Sequence, residues 1–195
     1  IAEDMGLIID LGRWILRKAC MECMKWPAGV SVAVNFSPQQ FHQRDILSEV
    51  RYALEVSGLP AERLEIEITE SSLLRNTQLT HDVLAQLHAL GVRISLDDFG
   101  TGYSSLGYLR TAPFDKIKID QSFVRGAAAP GNRNAAIIRA IVSLAETLGM
   151  ETTAEGVEIQ DEIDLVRDLG CSHIQGYVYG RGVPAADVMA QLGEA

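Results

Sequence analysis

Six times along this chain, a short apolar or β-branched run is followed by a longer segment with helical periodicity. An opening helix is predicted over 2–25, before the first of these pairs. The predicted strands are Val30–Val34, Leu64–Ile68, Val92–Leu96, Lys116–Ile119, Glu151–Ala154 and Ser172–Ile174. Strands that alternate with helices form a parallel sheet, because each helix returns the chain to the same end of the sheet. The pattern therefore predicts an α/β fold.

Two parallel architectures are compatible with this pattern, an open doubly wound sheet and a closed (β/α)8 TIM-like barrel. The six predicted strands are two fewer than a barrel requires. Because the chain starts with a helix that no strand precedes, we expect a barrel whose first strands lie upstream of Ile1. No linker or internal repeat divides the sequence, so residues 1–195 are predicted to form one domain that is incomplete at its N-terminus.

Composition limits the partners and the environment of this chain. With 195 residues, of which 47% are hydrophobic, it can bury one sizeable core. Its formal net charge of −9 would repel a long polyanion, which argues against a DNA or RNA polymer, although a small phosphate ligand could bind through metal ions. Charged residues such as Asp10 and Arg13 interrupt the most apolar segment, so no membrane span is predicted.

Two of the three cysteines, Cys20 and Cys23, have CxxC spacing. They lie within the predicted opening helix, and the sequence has no second ligand pair that would complete a structural zinc site. We therefore expect both to be small buried hydrophobic residues rather than metal ligands or a redox pair. Reduced thiols are typical of a cytoplasmic protein.

Polar residues stand at the C-terminal end of every predicted strand. They are Asn35, Glu67 with Glu70, Asp97 with Asp98, Lys118 with Asp120, Glu155 with Glu158, and Gln175. In a closed barrel these strand ends share one face, where the active sites of this architecture lie. Asn35 or Gln175 alone would be interpreted as an ordinary boundary between strand and loop. Polar groups at six successive strand ends instead predict a functional site.

Four carboxylates of this set would repel one another and raise each other's pKa unless cations offset their charge. They belong to Glu67, Asp97, Asp98 and Glu155. Oxygen ligands without a cluster of His or Cys are typical of Mg²⁺ or Mn²⁺ rather than of zinc. The predicted cofactor is therefore a hard divalent cation.

The adjacent carboxylates Asp97 and Asp98 follow the apolar run that ends at Leu96. Neighbouring side chains on an extended backbone point to opposite sides, so we expect one carboxylate to face the cavity and the other to face a neighbouring site or a second cation. Gly100 and Gly102 predict a tight, mobile loop immediately after them.

Taken in order, these residues resemble the EAL-domain phosphodiesterases of bacterial cyclic di-GMP signalling. The matching segments are Asn35-Phe36-Ser37, Glu67-Ile68-Thr69-Glu70, Asp97-Asp98-Phe99-Gly100-Thr101-Gly102, Lys118-Ile119-Asp120, Glu155-Gly156-Val157-Glu158 and Gln175-Gly176-Tyr177. Each segment alone is unspecific, whereas the ordered set is distinctive and spans the chain. The resemblance implies a (β/α)8-like barrel with one antiparallel strand, which hydrolyses cyclic di-GMP to linear pGpG with two Mg²⁺ or Mn²⁺ ions.

The resemblance also implies a role for each position. The metal ligands would be Asn35, Glu67, Asp97, Asp98 and Glu155, with Asp97 and Asp98 helping to hold the second ion. The catalytic residues would be Glu155, Lys118, which would contact the nucleophilic water and the phosphate, and Glu70, which would anchor the loop 98–106. The residues that bind or support the substrate would be Asn35, Gln175 and Glu158.

The Glu-Ala-Leu segment that names this family, and the arginine near it, do not occur in the sequence. The segment Ala2-Glu3-Asp4-Met5-Gly6-Leu7 resembles the part that normally follows them. We therefore expect roughly the first quarter of the domain to precede Ile1, and the fragment alone to be inactive. The resemblance further implies a homodimer and a fused sensory, receiver or GGDEF domain.

Two other functions remain open at this stage. One is a degenerate, non-catalytic module that binds cyclic di-GMP or a protein partner, and the other is an unrelated metal-dependent barrel enzyme such as an aldolase or a sugar hydrolase. Each metal ligand that the resemblance places within the chain is present, which favours the enzyme over the degenerate module. The ordered set of motifs argues against the unrelated barrel.

Overall fold

The computed structural model describes residues 3, 5–41, 45–73, 77–102, 107–129 and 131–192. Its strands are β1 (Val32–Phe36), β2 (Leu64–Thr69), β3 (Arg93–Phe99), β4 (Lys116–Ile119), β5 (Glu151–Ala154) and β6 (His173–Ile174). They form one sheet in chain order, and every neighbouring pair is parallel. A doubly wound sheet reverses its strand order at a switch point, whereas this sheet does not. The α/β fold is therefore that of a TIM-like barrel, as predicted.

Helices connect the strands and cover one side of the sheet. They are α1 (Ile8–Cys23), α2 (Pro38–Phe41), α3 (Ile46–Ser57), α4 (Glu70–Leu73), α5 (Thr77–Ala89), α6 (Gly107–Thr111), α7 (Gln121–Val124), α8 (Asn134–Thr147), α9 (Gln160–Asp168) and α10 (Ala185–Leu192). Gly58, with a φ of 71°, donates its N–H to the Leu54 carbonyl and ends α3 in the left-handed conformation that glycine adopts without strain. In the described part of the chain, no helix is both long and apolar enough to cross a membrane.

Each central strand alternates between an apolar side, which faces the helices, and a polar side. In β2, Ile66 and Ile68 are completely buried and pack into one core with helical residues such as Leu84 and Ile138. Burial of each such side chain contributes about 1.5–3 kcal/mol, which fixes the strands against the helices. The two cysteines of the CxxC pair are also fully buried in this core, as predicted.

The other side of the sheet carries two layers of charged residues. Nearer the start of the strands, Lys116 contacts Glu65 at 2.6 Å and Arg93 contacts Glu151. Two residues further along β4, Lys118 lies among carboxylates of the neighbouring strands. The spacing of the layers follows from the two-residue period of a strand. The prediction from the sequence rested on polar residues at the C-terminal ends of the strands, and so it included the layer around Lys118 but not the layer around Lys116.

Strands β1 and β3 differ most from the predicted ones, whereas the bounds of the other four agree to within one residue. The N–H of Val30 closes a turn by donating to the Pro27 carbonyl, so pairing with β2 starts only at Val32. Strand β3 continues past Leu96 to Phe99, with a shift in register against β4. The predicted end of this strand at Leu96 is therefore wrong, because both aspartates lie within the strand.

Candidate metal centre

The ammonium group of Lys118 is the centre of the second charged layer. Its Nζ lies 2.9 Å from Glu67 Oε1, 3.0 Å from Asp97 Oδ1 and 2.7 Å from Glu155 Oε1. Adjacent parallel strands, β2 to β5, supply the four residues or lead directly into them. Lys118 is only 4% exposed, so these contacts form in a region that largely excludes water.

Burial and mutual charge perturb the pKa of the groups in this layer. Burial by itself would lower the pKa of Lys118, but the hydrogen bond to Glu155 and the charges of Glu67 and Glu155 outweigh it and hold the pKa above its ordinary value. Burial also raises the pKa of Glu67 and of Glu155. Lys118 acts in the opposite direction, and the nearby charge of Asp97 raises both pKa values further. The lysine is therefore held charged, while the glutamates retain their protons to higher pH than usual.

Three carboxylates lie close enough to share one cation. Ligand oxygens of Asp97, Asp98 and Glu155 are all within 4.8 Å of one another. The expectation that Asp97 and Asp98 point to opposite sides is therefore wrong. Asp98 has a φ of 54°, the left-handed conformation that Asp tolerates better than most residues, and it lies at the register shift of β3. This local irregularity turns its carboxylate into the same group as that of Asp97.

The donor set of this group fits a hard divalent cation. Its ligands are carboxylate oxygens, which Mg²⁺ and Mn²⁺ prefer. Glu67, Asp97 and Glu155 contact the ammonium of Lys118, and Asp98 lies beside two of them, so the positive charge of the lysine offsets only part of the negative charge of the four carboxylates. Burial, followed by the charges of Asp97 and Asp120, raises the pKa of Asp98, which shows the same excess of negative charge.

Glu70 begins α4 directly after β2 and reaches the segment that follows Asp98. Its Oε2 accepts a hydrogen bond from the Gly100 N–H at 3.3 Å, and a Cβ at Gly102 would lie 3.5 Å from the carboxylate. Glu70 is 5% exposed, and its Oε1 has no hydrogen-bond partner among the described residues. These contacts support the predicted anchoring of this loop over 98–102, while 103–106 lie outside the described residues.

A cavity of about 250 Å³ opens beside the carboxylate group. Predicted site residues that line it are Asp98, Glu155, Glu158 and Gln175. Its wall requires glycine at position 156, because the φ of Gly156 is +67° and a Cβ there would come within 2.4 Å of the Gln121 Cβ. Asn35 lies at the sheet edge on β1, exposed, in register with Glu67. The structure therefore places the predicted residues around one end of the sheet.

Two residues near this cavity were not identified from the sequence. Arg125, just after α7, lines the cavity and contacts Glu158 Oε1 at 2.6 Å. Glu162, in the first turn of α9, accepts hydrogen bonds from the N–H groups of Gly126 and Glu158, each at 3.0 Å. The sequence carries no capping-box signal for Glu162, because the residue three positions before it is Ile159 rather than Ser, Thr, Asp or Asn. No spacing rule indicates Arg125.

Comparison with known proteins now identifies the family. The family model of the EAL domain matches residues 1–182. The chain belongs to the EAL domain family. This EAL domain is 40% identical, over 98% of its length, to the bifunctional diguanylate cyclase/cyclic di-GMP phosphodiesterase MucR of Pseudomonas aeruginosa, and it covers 28% of that protein. The chain thus spans about a quarter of the length of the curated relatives that it matches.

Solved structures of the family agree with the fold. The MucR phosphodiesterase in complex with c-di-GMP matches 96% of this EAL domain and 77% of that chain, with a TM-score of 0.91 and 41% identity. Klebsiella pneumoniae BlrP1, solved with manganese and cyclic di-GMP, matches 93% of this domain and 46% of that chain, with a TM-score of 0.82 and 30% identity. Both structures support the TIM-like barrel assigned from strand order.

Proposed function

We propose that this EAL domain is a cyclic di-GMP phosphodiesterase that forms linear pGpG and depends on Mg²⁺ or Mn²⁺. The observation that carries the proposal is the group formed by Asp97, Asp98 and Glu155, which adjoins both Lys118 and an open cavity. The same residues lie in a domain similar to the MucR phosphodiesterase solved with c-di-GMP. The alternative, a degenerate binding module, has no specific observation in its favour.

In this proposal the carboxylates would hold the cations, and Lys118 supplies fixed positive charge. Two ions would be held by Asn35, Glu67, Asp97, Asp98 and Glu155, and when bound they would lower the pKa of the attacking water and stabilise charge on the phosphoryl oxygens. Burial alone would lower the pKa of Lys118, but Glu155 and Glu67 raise it, which favours a protonated lysine over a general base. Its role is instead to stabilise negative charge as the phosphodiester bond breaks.

The proposed roles of the remaining residues follow from their positions. Glu70 holds the segment after Asp98 through Gly100, and so maintains the position of the ligand Asp98. Glu158 and Gln175 line the cavity from two successive loops, where they can contact the base or the phosphate of the substrate.

We further propose that the domain acts as a homodimer in the cytoplasm, fused to a sensory, receiver or GGDEF domain. The name of MucR, a bifunctional diguanylate cyclase and phosphodiesterase, supports a fused cyclase domain. The chain covers only about a quarter of the length of these relatives, which supports a place for this domain in a longer, multidomain protein.

Turnover by the complete protein tests the proposal. Cyclic di-GMP is incubated with Mg²⁺, Mn²⁺, Ca²⁺ or a chelator, and the products are separated by chromatography. We expect pGpG with Mg²⁺ and Mn²⁺, but not with Ca²⁺, because its longer and looser coordination misplaces the water. Equal turnover in chelator and in Mg²⁺ would contradict the metal-dependent mechanism, and absence of pGpG under all conditions would contradict the proposed activity.

A further inference from the structure

An ion pair stands at the rim of the cavity, outside the metal centre. Arg125 and Glu158 lie 2.6 Å apart, and their side chains are 52% and 44% exposed. An exposed pair of this kind contributes at most about 1 kcal/mol to folding. Among the described residues that line the cavity, Arg125 alone is basic. Stability therefore does not account for the placement of this pair.

A buried carboxylate holds the backbone beneath both members of the pair. Glu162 is 5% exposed, and it accepts the N–H of Glu158 and the N–H of Gly126, which directly follows Arg125. Asn132 holds the same residue from its other side by donating to the Gly126 carbonyl at 2.8 Å. A buried carboxylate is costly unless its oxygens are hydrogen-bonded. Here those hydrogen bonds join the two loops that carry the rim pair, which fixes the relative position of Arg125 and Glu158.

The rim pair matches the hydrogen-bonding groups on two adjoining edges of a guanine base. The acceptors N7 and O6 of one edge are followed around the ring by the donors N1–H and N2–H₂ of the next. A guanidinium donates to N7 and O6, the commonest specific contact between a protein and guanine, and a carboxylate can accept from N1–H and N2–H₂. Because O6 and N1 belong to adjacent ring atoms, the two protein groups must also be neighbours, as Arg125 and Glu158 are.

We propose that Arg125 and Glu158 together read these two edges of one guanine of the substrate, and that Glu162 is the positioning residue that keeps them side by side. The inference rests on the proposed function and adds to it a basis for base selectivity. Adenine presents an unprotonated N1 to the carboxylate and an amino group to the guanidinium. The contacts to O6, N1–H and the 2-amino group would then be lost, and only the guanidinium contact with N7 would remain.

Binding of two dinucleotides to the complete protein tests this assignment. Dissociation constants for cyclic di-GMP and cyclic di-AMP are measured in Ca²⁺, by calorimetry or by competition where binding is weak. The variants are Arg125→Gln, Arg125→Lys and Glu158→Gln. Lys18→Gln is the matched control, since Lys18 forms an exposed ion pair with Glu22 on α1, away from the cavity.

We expect Arg125→Gln and Glu158→Gln each to weaken binding of cyclic di-GMP about 10 to 100-fold, while binding of cyclic di-AMP changes less than about threefold. Arg125→Lys should restore only part of the loss, because an ammonium lacks the guanidinium fork. Lys18→Gln should have no effect. Glu162→Ala should raise KM for cyclic di-GMP with little change in kcat, provided that circular dichroism shows a folded protein.

Three results would overturn the assignment. Unchanged binding of cyclic di-GMP by Arg125→Gln would make the rim pair an ordinary surface ion pair. Equal weakening for both dinucleotides would mean that Arg125 contacts phosphate rather than base. Failure of the wild-type protein to bind or cleave cyclic di-GMP would contradict the proposed function itself, which separates that failure from an error about the rim pair.

Discussion

At the scale of single residues, Lys118 serves as an internal counter-ion. One ammonium lies within 3.0 Å of three carboxylates from three different parts of the sheet. Removal of one partner from a buried ion pair leaves uncompensated charge, which is costlier than the net contribution of the pair. Lys118 therefore affects folding as well as the chemistry proposed for the site.

Lys118→Met should lower the free energy of unfolding by about 3–5 kcal/mol, because three carboxylates lose their common cation. Mn²⁺ should restore part of this loss by supplying positive charge to the same oxygens. Urea denaturation with and without Mn²⁺ measures both effects. Lys116→Met is the matched control, since Lys116 contacts Glu65 in the other charged layer. Equal stabilisation of the two variants by Mn²⁺ would show that the cation does not bind beside Lys118.

Glu155→Ala should reduce kcat on the order of 10³-fold, because a ligand near the attacking water is lost, while substrate binding suffers much less. Steady-state kinetics on cyclic di-GMP give both quantities. Glu151→Ala is the matched control. Glu151 lies at the opposite end of β5 and pairs with Arg93, so its loss should leave kcat almost unchanged. If Glu155→Ala retained more than about half of wild-type kcat, Glu155 would be only a polar residue at a strand end.

At the scale of elements, the end of β3 and the start of α4 depend on each other. The register shift in β3 places the carboxylate of Asp98 beside those of Asp97 and Glu155. Glu70 holds the segment that follows by accepting the Gly100 N–H. Partners that orient metal ligands are typically worth 10 to 100-fold in affinity or activity. The proposed consequence is that this junction couples the loop to metal binding.

Glu70→Ala should therefore lower both kcat and Mg²⁺ affinity, by about 10 to 100-fold. Titration of activity with Mg²⁺ measures the two together. Glu70→Gln retains an oxygen that can accept the Gly100 N–H and should recover much of the loss. Sedimentation of the same proteins tests whether the loop also contributes to the proposed homodimer. Superimposable titration curves with equal kcat would show that Glu70 does not position Asp98.

At the scale of the whole molecule, the site carboxylates link metal binding to pH. Burial is the largest cause that raises the pKa of Asp98 and of Glu155, so in the folded protein they hold protons to higher pH than in the unfolded chain. Their contribution to stability is therefore present below the ordinary carboxyl pKa and is lost as pH rises through the folded value. Cations require the ionised form, so protons compete with them.

The increase in Tm caused by Mn²⁺ should accordingly be larger at pH 7.5 than at pH 5. Thermal denaturation with and without Mn²⁺ at several pH values measures this increment, and titration of groups elsewhere largely cancels in the difference. Glu155→Ala, which lacks one ligand, should show a smaller increment throughout. A constant increment across this range in the wild-type protein would mean that these carboxylates do not compete with protons for the cation.

The sequence was sufficient for the architecture and for the composition of the site. Alternating strand and helix patterns predicted the parallel sheet, and Lys116–Ile119 and Glu151–Ala154 were predicted to the residue. Polar residues at strand ends were enough to predict that these carboxylates meet, because parallel strands bring those ends to one edge. Both inferences depend on periodicity and order, which are properties of the chain itself.

Tertiary structure alone decided how these groups meet. The positive φ of Asp98 and the register shift of β3 against β4 place two adjacent carboxylates in one group, whereas the two-residue period of a regular strand predicts opposite sides. The three contacts of Lys118 and the pairing of Arg125 with Glu158 join residues distant in sequence. Local pattern determines which side of a strand a residue occupies, but distances between side chains of different strands depend on register and packing, which only the folded chain defines.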